Sequence, residues 1–331
     1  MSNEDAFRKV LDLWLHPDVA IYRTHSRDEA VLAYDDCPAF REAREAVLRE
    51  HEPHDRRESA DATIEFAGRR WRAHVSHAMD GWSVKLRHLP KVNLSVNDLG
   101  FDYEGLMSLA RSPGIFIVGG PTSSGKSTTA SAVVQELNKE GLLGHMVTVE
   151  EPIEFVYPDL PRVRQREVGA DVHSFAQGVR DAMRETPDTI LIGEIRDPKT
   201  AEDAVQAGLT GHRVITTIHA DDITEVIQRM FAFLDDQHDE LLPRALQGIH
   251  VQHLIPRQDR VPLPLSEGIL VNREVQGTIA EANTNGLQGL NLIRHAMTHQ
   301  RRPTMHETAR RMAERGQVPE GLIKPYLDEE R

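Results

Sequence analysis

Gly120-Pro-Thr-Ser-Ser-Gly-Lys-Ser-Thr128 decides the fold of this chain. It spells G-x-x-x-x-G-K-S, a loop that cradles phosphates between a strand and a helix. Its flanks supply both elements. Gly114-Ile-Phe-Ile-Val-Gly119 is a short apolar run suited to a buried strand. Beyond the loop, Ala130, Val133, Val134 and Leu137 recur at helical spacing, so a helix is expected to begin at Lys126. Gly120 and Gly125 permit tight turns that face backbone N–H groups inward. The helix N-terminus adds partial positive charge at the same point. Thr122, Ser123 and Ser124 complete the cradle. In this pattern Lys126 reaches the β and γ phosphates of a nucleotide, Ser127 ligates Mg²⁺ and Thr128 contacts the inner phosphates.

The rest of the composition bounds the answer. A chain of 331 residues suggests about two domains. Its net charge of −13 and pI of about 5.7 lack the basic footprint of a nucleic-acid binder. The single cysteine, Cys37, excludes an intrachain disulfide and a multi-cysteine zinc site, and favours a reducing compartment. No apolar run reaches the ~18 residues of a membrane helix. The opening Met-Ser-Asn-Glu-Asp does not resemble a signal peptide. The expectation is a cytosolic protein whose membrane role, if any, runs through a membrane partner.

Upstream of the loop the pattern changes. Phe7, Val10, Leu11 and Trp14 predict an amphipathic helix over 4–16, ended by Pro17. A second helix is expected over Pro38–Arg49. Three strand-like runs follow, Ala62–Ala67, Arg70–His77 and Trp82–His88, with a hairpin signal at Asp80-Gly81. These elements suggest a small α+β domain over 1–90, a linker over 91–100 opening after Pro90, and a larger α/β domain over 101–331. His74 and His77 have no companions that would make a metal site.

Acids recur where strands should end. Gly144–Val149 leads into Glu150-Glu151-Pro152-Ile153-Glu154. Thr189-Ile-Leu-Ile-Gly-Glu194 has the form of a Walker B strand, whose acid handles Mg²⁺ or the attacking water. Arg213-Val-Ile-Thr-Thr-Ile218 is a strand followed by His219. In open α/β sheets ligands bind at such strand ends. A helix is expected over Ser174–Glu185, with Ser174 as its N-cap and Arg180 and Arg184 on one face. Further on, 256–264 carries three prolines and reads as a loop, Ser266–Val271 as a strand, and Leu287–Thr298 and Glu307–Arg315 as helices.

Four blocks together resemble the secretion ATPase superfamily, the motors of type IV pili and of type II and type IV secretion. They are the phosphate loop, Thr148-Val-Glu-Glu-Pro-Ile-Glu-Phe155, Ile190-Leu-Ile-Gly-Glu-Ile-Arg-Asp197 and Gly208-Leu-Thr-Gly-His-Arg-Val-Ile-Thr-Thr-Ile-His219. They are similar to that family's Walker A, Asp box, Walker B and His box. The resemblance implies a RecA-like P-loop ATPase domain with a smaller PAS-like N-terminal domain. It further implies a hexameric ring using ATP and Mg²⁺, and an inner-membrane secretion or pilus platform as partner, with no direct nucleic acid. Residue by residue, it makes Glu194 the catalytic carboxylate and a Mg²⁺ contact beside Ser127. Glu150 becomes a second carboxylate near the γ-phosphate, and His219 its sensor. Arg72 and Arg87 become N-domain arginines that neutralise phosphate charge. The protein would be cytoplasmic and peripheral at the inner membrane.

Three departures narrow the branch. Glu151 replaces the usual Asp-box aspartate, the tetracysteine module of type II motors is absent, and Glu274-Val-Gln-Gly-Thr-Ile-Ala-Glu281 departs from the retraction-motor motif. They favour a conjugation-type or type IVB secretion motor. Two rival readings are a nucleic-acid translocase on the same core and a non-hydrolysing nucleotide-binding regulator.

Overall fold

Two sheets of opposite character organise the chain. A computed structural model describes residues 7, 10–24, 28–89, 94–157, 159–257, 260–285 and 287–327. They fall into two units, Met1–Lys91 with Pro152–Val156, and Val92–Glu151 with Tyr157–Arg331. The expected linker lies partly outside the described residues, at 91–93. Its last part turns on itself, with Ser95 Oγ donating to Asp98 Oδ2 at 2.7 Å.

The first unit holds β1 (Val10–Leu15), β2 (Val19–Thr24), β3 (Glu29–Ala33), α1 (Pro38–His51), β4 (Ala60–Phe66), β5 (Arg69–Ala78) and β6 (Gly81–Leu89). The strands form one antiparallel sheet in the order β3-β2-β1-β6-β5-β4. Along β5, Trp71, Ala73 and Val75 point inward, while Arg72 and His74 lie on the other face, as a one-sided sheet requires. Helix α1 buries Ala39, Phe40, Ala43 and Val47. These join Leu13, Trp71 and Leu86 in one apolar cluster, where Phe7 meets Phe40 and Trp71 edge-on at 5.0 and 5.5 Å. The hairpin at Asp80-Gly81 forms, and Gly81 adopts φ 122°.

One expectation fails here. The helix predicted over 4–16 is strand β1 from Val10 onward; residues 1–6, 8 and 9 lie outside the described residues. The spacing of Val10, Leu11 and Trp14 is helical, because a register shift between Val10 and Asp12 breaks the alternation that a regular strand shows. Pairing with β2 on one side and β6 on the other decides it. Leu13 faces the core, and Trp14 stands on the outer face under Arg23 and Lys85, at 5.0 and 5.5 Å from its ring.

The second unit opens with α2 (Tyr103–Met107) and then β7 (Gly114–Gly119), α3 (Lys126–Lys139), β8 (Met146–Glu150), β9 (Val163–Glu167), α4 (Phe175–Met183), β10 (Thr189–Ile192), α5 (Pro198–Leu209), β11 (Arg213–Ile218) and α6 (Ile223–Phe233). Two short helices, α7 (Asp236–Asp239) and α8 (Leu242–Ala245), lead into β12 (Leu246–Arg257), β13 (Arg260–Leu270) and four helices, α9 (Arg273–Asn285), α10 (Leu287–His299), α11 (Met305–Glu314) and α12 (Glu320–Leu327). The sheet order is β13-β12-β7-β11-β10-β8-β9, parallel except for the β12–β13 hairpin. Every residue of β7 and β11 is buried, because helices cover both faces. Ser174 caps its helix as expected, its Oγ accepting from Gln177 N, whereas the helix expected from Glu307 starts at Met305, with Thr304 closing a capping box with Glu307.

The loop predicted over 256–264 is instead largely strand; residues 258 and 259 lie outside the described residues. Prolines survive there for two reasons. Pro262 and Pro264 lie on β13, the edge strand, and Pro256 sits at a register shift between Ile255 and Arg257.

Candidate functional site

The parallel registers align the candidate residues of the second unit at one sheet edge. Gly119 pairs with Ile218, Ile192 with Thr216, and Ile192 with Val149. The residues that follow these positions are the phosphate loop, His219, Glu194 and Glu150. All four therefore emerge from the C-terminal ends of neighbouring strands, where a doubly covered sheet first exposes its backbone.

The loop has the geometry its glycines suggest. Gly120 adopts φ 152° and Gly125 φ 85°, and Ser123 is also left-handed at φ 66°. A Cβ on Gly120 would lie 2.3 Å from Ser124 Oγ and 2.4 Å from Gln252 O, so no other residue fits. Gly125 is the N-cap of α3 and contributes no capping side chain. The first-turn N–H groups thus keep their anion-binding capacity. Lys126 Nζ donates to Gly120 O and Pro121 O, each at 2.9 Å, which holds the ammonium over the loop. Ser124 is buried, and among the described residues its Oγ has no partner. Thr122 and Ser127 are exposed and Thr128 half-buried.

The two acids differ in their surroundings. Glu150 is buried and restrained: its Oε1 accepts from Thr148 Oγ1 at 2.7 Å and Gln165 Nε2 at 3.2 Å. Gln165 in turn accepts from Tyr157 N at 3.1 Å. Burial, with the nearby Glu150 charge, pushes the Tyr157 hydroxyl up. Glu194 is half-buried, and among the described residues its carboxylate has no ion pair or hydrogen bond. Only backbone and neighbours hold it in place: Gly193 N donates to Val149 O at 2.8 Å, Ile195 N to Thr217 O at 3.0 Å, and Thr217 Oγ1 to Gly193 O at 2.7 Å. His219 is exposed and likewise without a side-chain partner among the described residues. The Ser127 hydroxyl and the Glu194 carboxylate are hard oxygen donors of the kind Mg²⁺ takes, so the residues present fit that ion.

Glu151 behaves differently from its neighbour. It is bound to Arg196, whose guanidinium also lies 5.3 Å from the Phe175 ring. Arg180 pairs with Asp203 at 2.6 Å, and Arg184 is exposed.

Arg72 and Arg87 form a constellation of their own in the first unit. They are direct cross-strand partners on the outer face of β5 and β6. With Asp61, His74 and Lys85 they line a depression of about 340 Å³. Arg87 Nε donates to Asp12 Oδ1 at 2.8 Å, and Arg23 approaches the same carboxylate at 3.7 Å. Asp12 is 1% exposed although it lies on the outer face, because the two arginines cover it. Its hydrogen bond raises the Arg87 guanidinium pKa further.

Three supporting residues escape a sequence reading. Asp12 falls in the segment read as helix. Gln165 shows its role only once β9 lies beside β8. Arg213, in the fourth motif block, is 6% exposed and ties β11 to Ala110 O, Leu142 O and Arg111 O at 2.9, 2.7 and 2.6 Å. It stands at the opposite end of its strand from His219, as a structural anchor. An arginine opening the apolar run Arg213-Val-Ile-Thr-Thr-Ile218 was the available signal.

Comparison with known proteins agrees with this geometry. A family model described as type II/IV secretion system protein matches residues 26–318. A putative type II secretion system protein E of Escherichia coli (strain K12) is 42% identical over 181 residues, 52% of this chain and 35% of that protein. A twitching motility protein of Neisseria gonorrhoeae is 32% identical over 263 residues, 77% of this chain and 68% of its own length. The chain therefore spans about a third of the first relative and about two thirds of the second. Among solved structures, the pilus retraction motor PilT with bound ADP superposes with a TM-score of 0.82 at 26% identity, covering 99% of this chain and 97% of that one. The fold is thus α/β, a RecA-like P-loop domain with a smaller α+β PAS-like N-terminal domain.

Proposed function

The chain belongs to the type II/IV secretion system protein family, and from that premise we propose that it is a Mg²⁺-dependent ATP hydrolase driving secretion or pilus dynamics. The observation that carries the reading is the convergence of the phosphate loop, Glu150, Glu194 and His219 at one sheet edge. Backbone N–H groups of Gly120–Thr128 and the Lys126 ammonium bind the phosphates. Lys126 exchanges its loop carbonyls for phosphate oxygens, a gain because a charge-assisted bond to an anion is the stronger one. Ser127 and Glu194 would hold Mg²⁺, which would supply neutralisation of charge on the phosphate oxygens. Glu194, unpaired among the described residues, orients the attacking water and accepts its proton. Glu150 is fixed by Thr148 and Gln165, so it supplies a placed negative charge for that water. His219 contacts the γ-phosphate and reports its loss.

Arg72 and Arg87 stabilise transition-state charge from a neighbouring copy in a hexameric ring, working as arginines supplied in trans. Residues 94–100 of the expected linker act as the hinge between the domains. The ring docks on an inner-membrane platform protein from the cytoplasmic side. Among the described residues no helix is long and apolar enough to cross a membrane. The absent cysteine module and the altered Glu274–Glu281 segment favour a type IVB or conjugation-like branch.

The test is the ATPase rate per chain across protein concentration, with Mg²⁺, beside Glu194→Gln. A rate that climbs to a plateau and is lost in the variant supports a site completed by assembly. A rate the variant leaves unchanged overturns the assignment of Glu194.

A further inference from the structure

Gln252 is a buried polar residue that no catalytic role explains. It lies on β12, one residue beyond Val251, which pairs with Gly119 at the end of β7. Its side chain is 1% exposed and points away from Ile249 and Val251, which belong to the apolar core. Both ends of its amide are used. Nε2 donates to Ser124 O at 2.6 Å, and Oε1 accepts from Thr129 Oγ1 at 2.7 Å. The orientation is fixed chemically, since the reverse would set two carbonyl oxygens against each other.

These bonds span the phosphate loop at its tightest point. Ser124 precedes Gly125, and Thr129 stands in the first turn of α3, where its N–H bonds Gly125 O at 2.9 Å. A Cβ on Gly125 would lie 3.3 Å from Gln252 Nε2. In a planar trans peptide, C=O and N–H point in opposite directions. Holding the Ser124 carbonyl toward β12 therefore turns the Gly125 N–H away from β12, toward the concave side of the loop.

We propose that Gln252 is a positioning residue for phosphate binding: it sets the Ser124–Gly125 peptide so that the Gly125 N–H faces the nucleotide. It never touches the phosphates itself. The proposal rests on the nucleotide reading above. The helix dipole and Lys126 attract the anion, while Gln252 fixes one donor before the anion arrives, which removes an ordering cost from binding.

The experiment measures ATP and ADP affinity of the full chain by fluorescent-analogue displacement, with thermal melting as a separate readout. Gln252→Met keeps the volume and removes both hydrogen bonds. It should weaken both nucleotides about tenfold, the effect of losing roughly one good hydrogen bond, and lower kcat at saturation less than about threefold. Thr129→Val removes one bond and should weaken binding less. The double variant should fall short of the product of the two, since both break one link. Gln252→Met with a lowered melting temperature but wild-type affinity overturns the proposal, leaving the residue merely structural. Should Gln252→Met fail to fold, Thr129→Val decides: weaker binding supports the link, and unchanged binding overturns it. Lys126→Ala separates the two readings. If wild type binds and Lys126→Ala does not, the nucleotide site stands whatever Gln252 does. If wild type itself binds no nucleotide, both readings fall.

Discussion

The two sheets place their reactive side chains by different rules. The seven-stranded sheet is covered on both faces, so the interiors of β7 and β11 admit only buried residues. Its chemistry collects where strands stop, at Gly120–Thr128, Glu150, Glu194 and His219. The six-stranded sheet packs α1 on one face and leaves the other polar. Arg72, Lys85 and Arg87 therefore stand in strand interiors, on alternate positions. A one-residue register slip would trade the arginines for Trp71, Ala73 and Leu86. The contrast teaches where to look: at the ends of apolar runs in one sheet, and at the polar phase of the alternation in the other.

The strongest way to break this contrast is at a strand end. Glu194→Gln should lower ATP turnover by about 10²- to 10⁴-fold while nucleotide binding persists. Steady-state kinetics beside a binding isotherm would show it, and turnover within twofold of wild type would remove the chemistry from the strand ends. The strand interiors come next. Ile215→Ala, on doubly covered β11, should cost about 2–5 kcal/mol, and Ser76→Ala, on the outer face of β5, less than about 0.5 kcal/mol. Urea unfolding reads both, and equal losses would mean the faces are not differently buried.

A smaller effect sharpens the first unit. Asp12→Asn should cost about 1.5–3 kcal/mol, because it removes a buried carboxylate that Arg87 and Arg23 share. It should also reduce turnover by loosening Arg87. A stability loss with unaltered turnover would detach Arg87 from catalysis. The smallest effect concerns pH. Burial, helped by the Arg302 charge, depresses His250 from 6.5 to about 3. Between those values the unfolded chain binds a proton that the folded chain refuses, so stability falls as pH falls through that window. His250→Gln should flatten the decline between about pH 6.5 and pH 5, read as the denaturation midpoint at each pH.

Much of the second unit was legible because its signals are local. Apolar runs, glycines and the lysine fall within a dozen residues around Gly120, and the apolar runs ending in Glu194 and His219 repeat that logic. The first unit was less so. Val10, Leu11 and Trp14 read as a helix because a register shift between Val10 and Asp12 hides the strand alternation, and only pairing with β2 and β6 reveals the strand. Pro262 and Pro264 looked like loop residues because sequence does not say which strand lies at an edge.

The sequence by itself determined the strand–loop–helix at Gly114–Lys139 and the residue types gathered around it, because those follow from backbone sterics and short-range periodicity. Only the tertiary structure decided what restrains them. Thr148 and Gln165 hold Glu150, Arg196 takes Glu151, Asp12 holds Arg87, and Gln252 braces the phosphate loop from a strand more than a hundred residues away. Hydrogen bonds and ion pairs act over about 3 Å of space whatever the separation along the chain, and the order of the strands sets which residues meet.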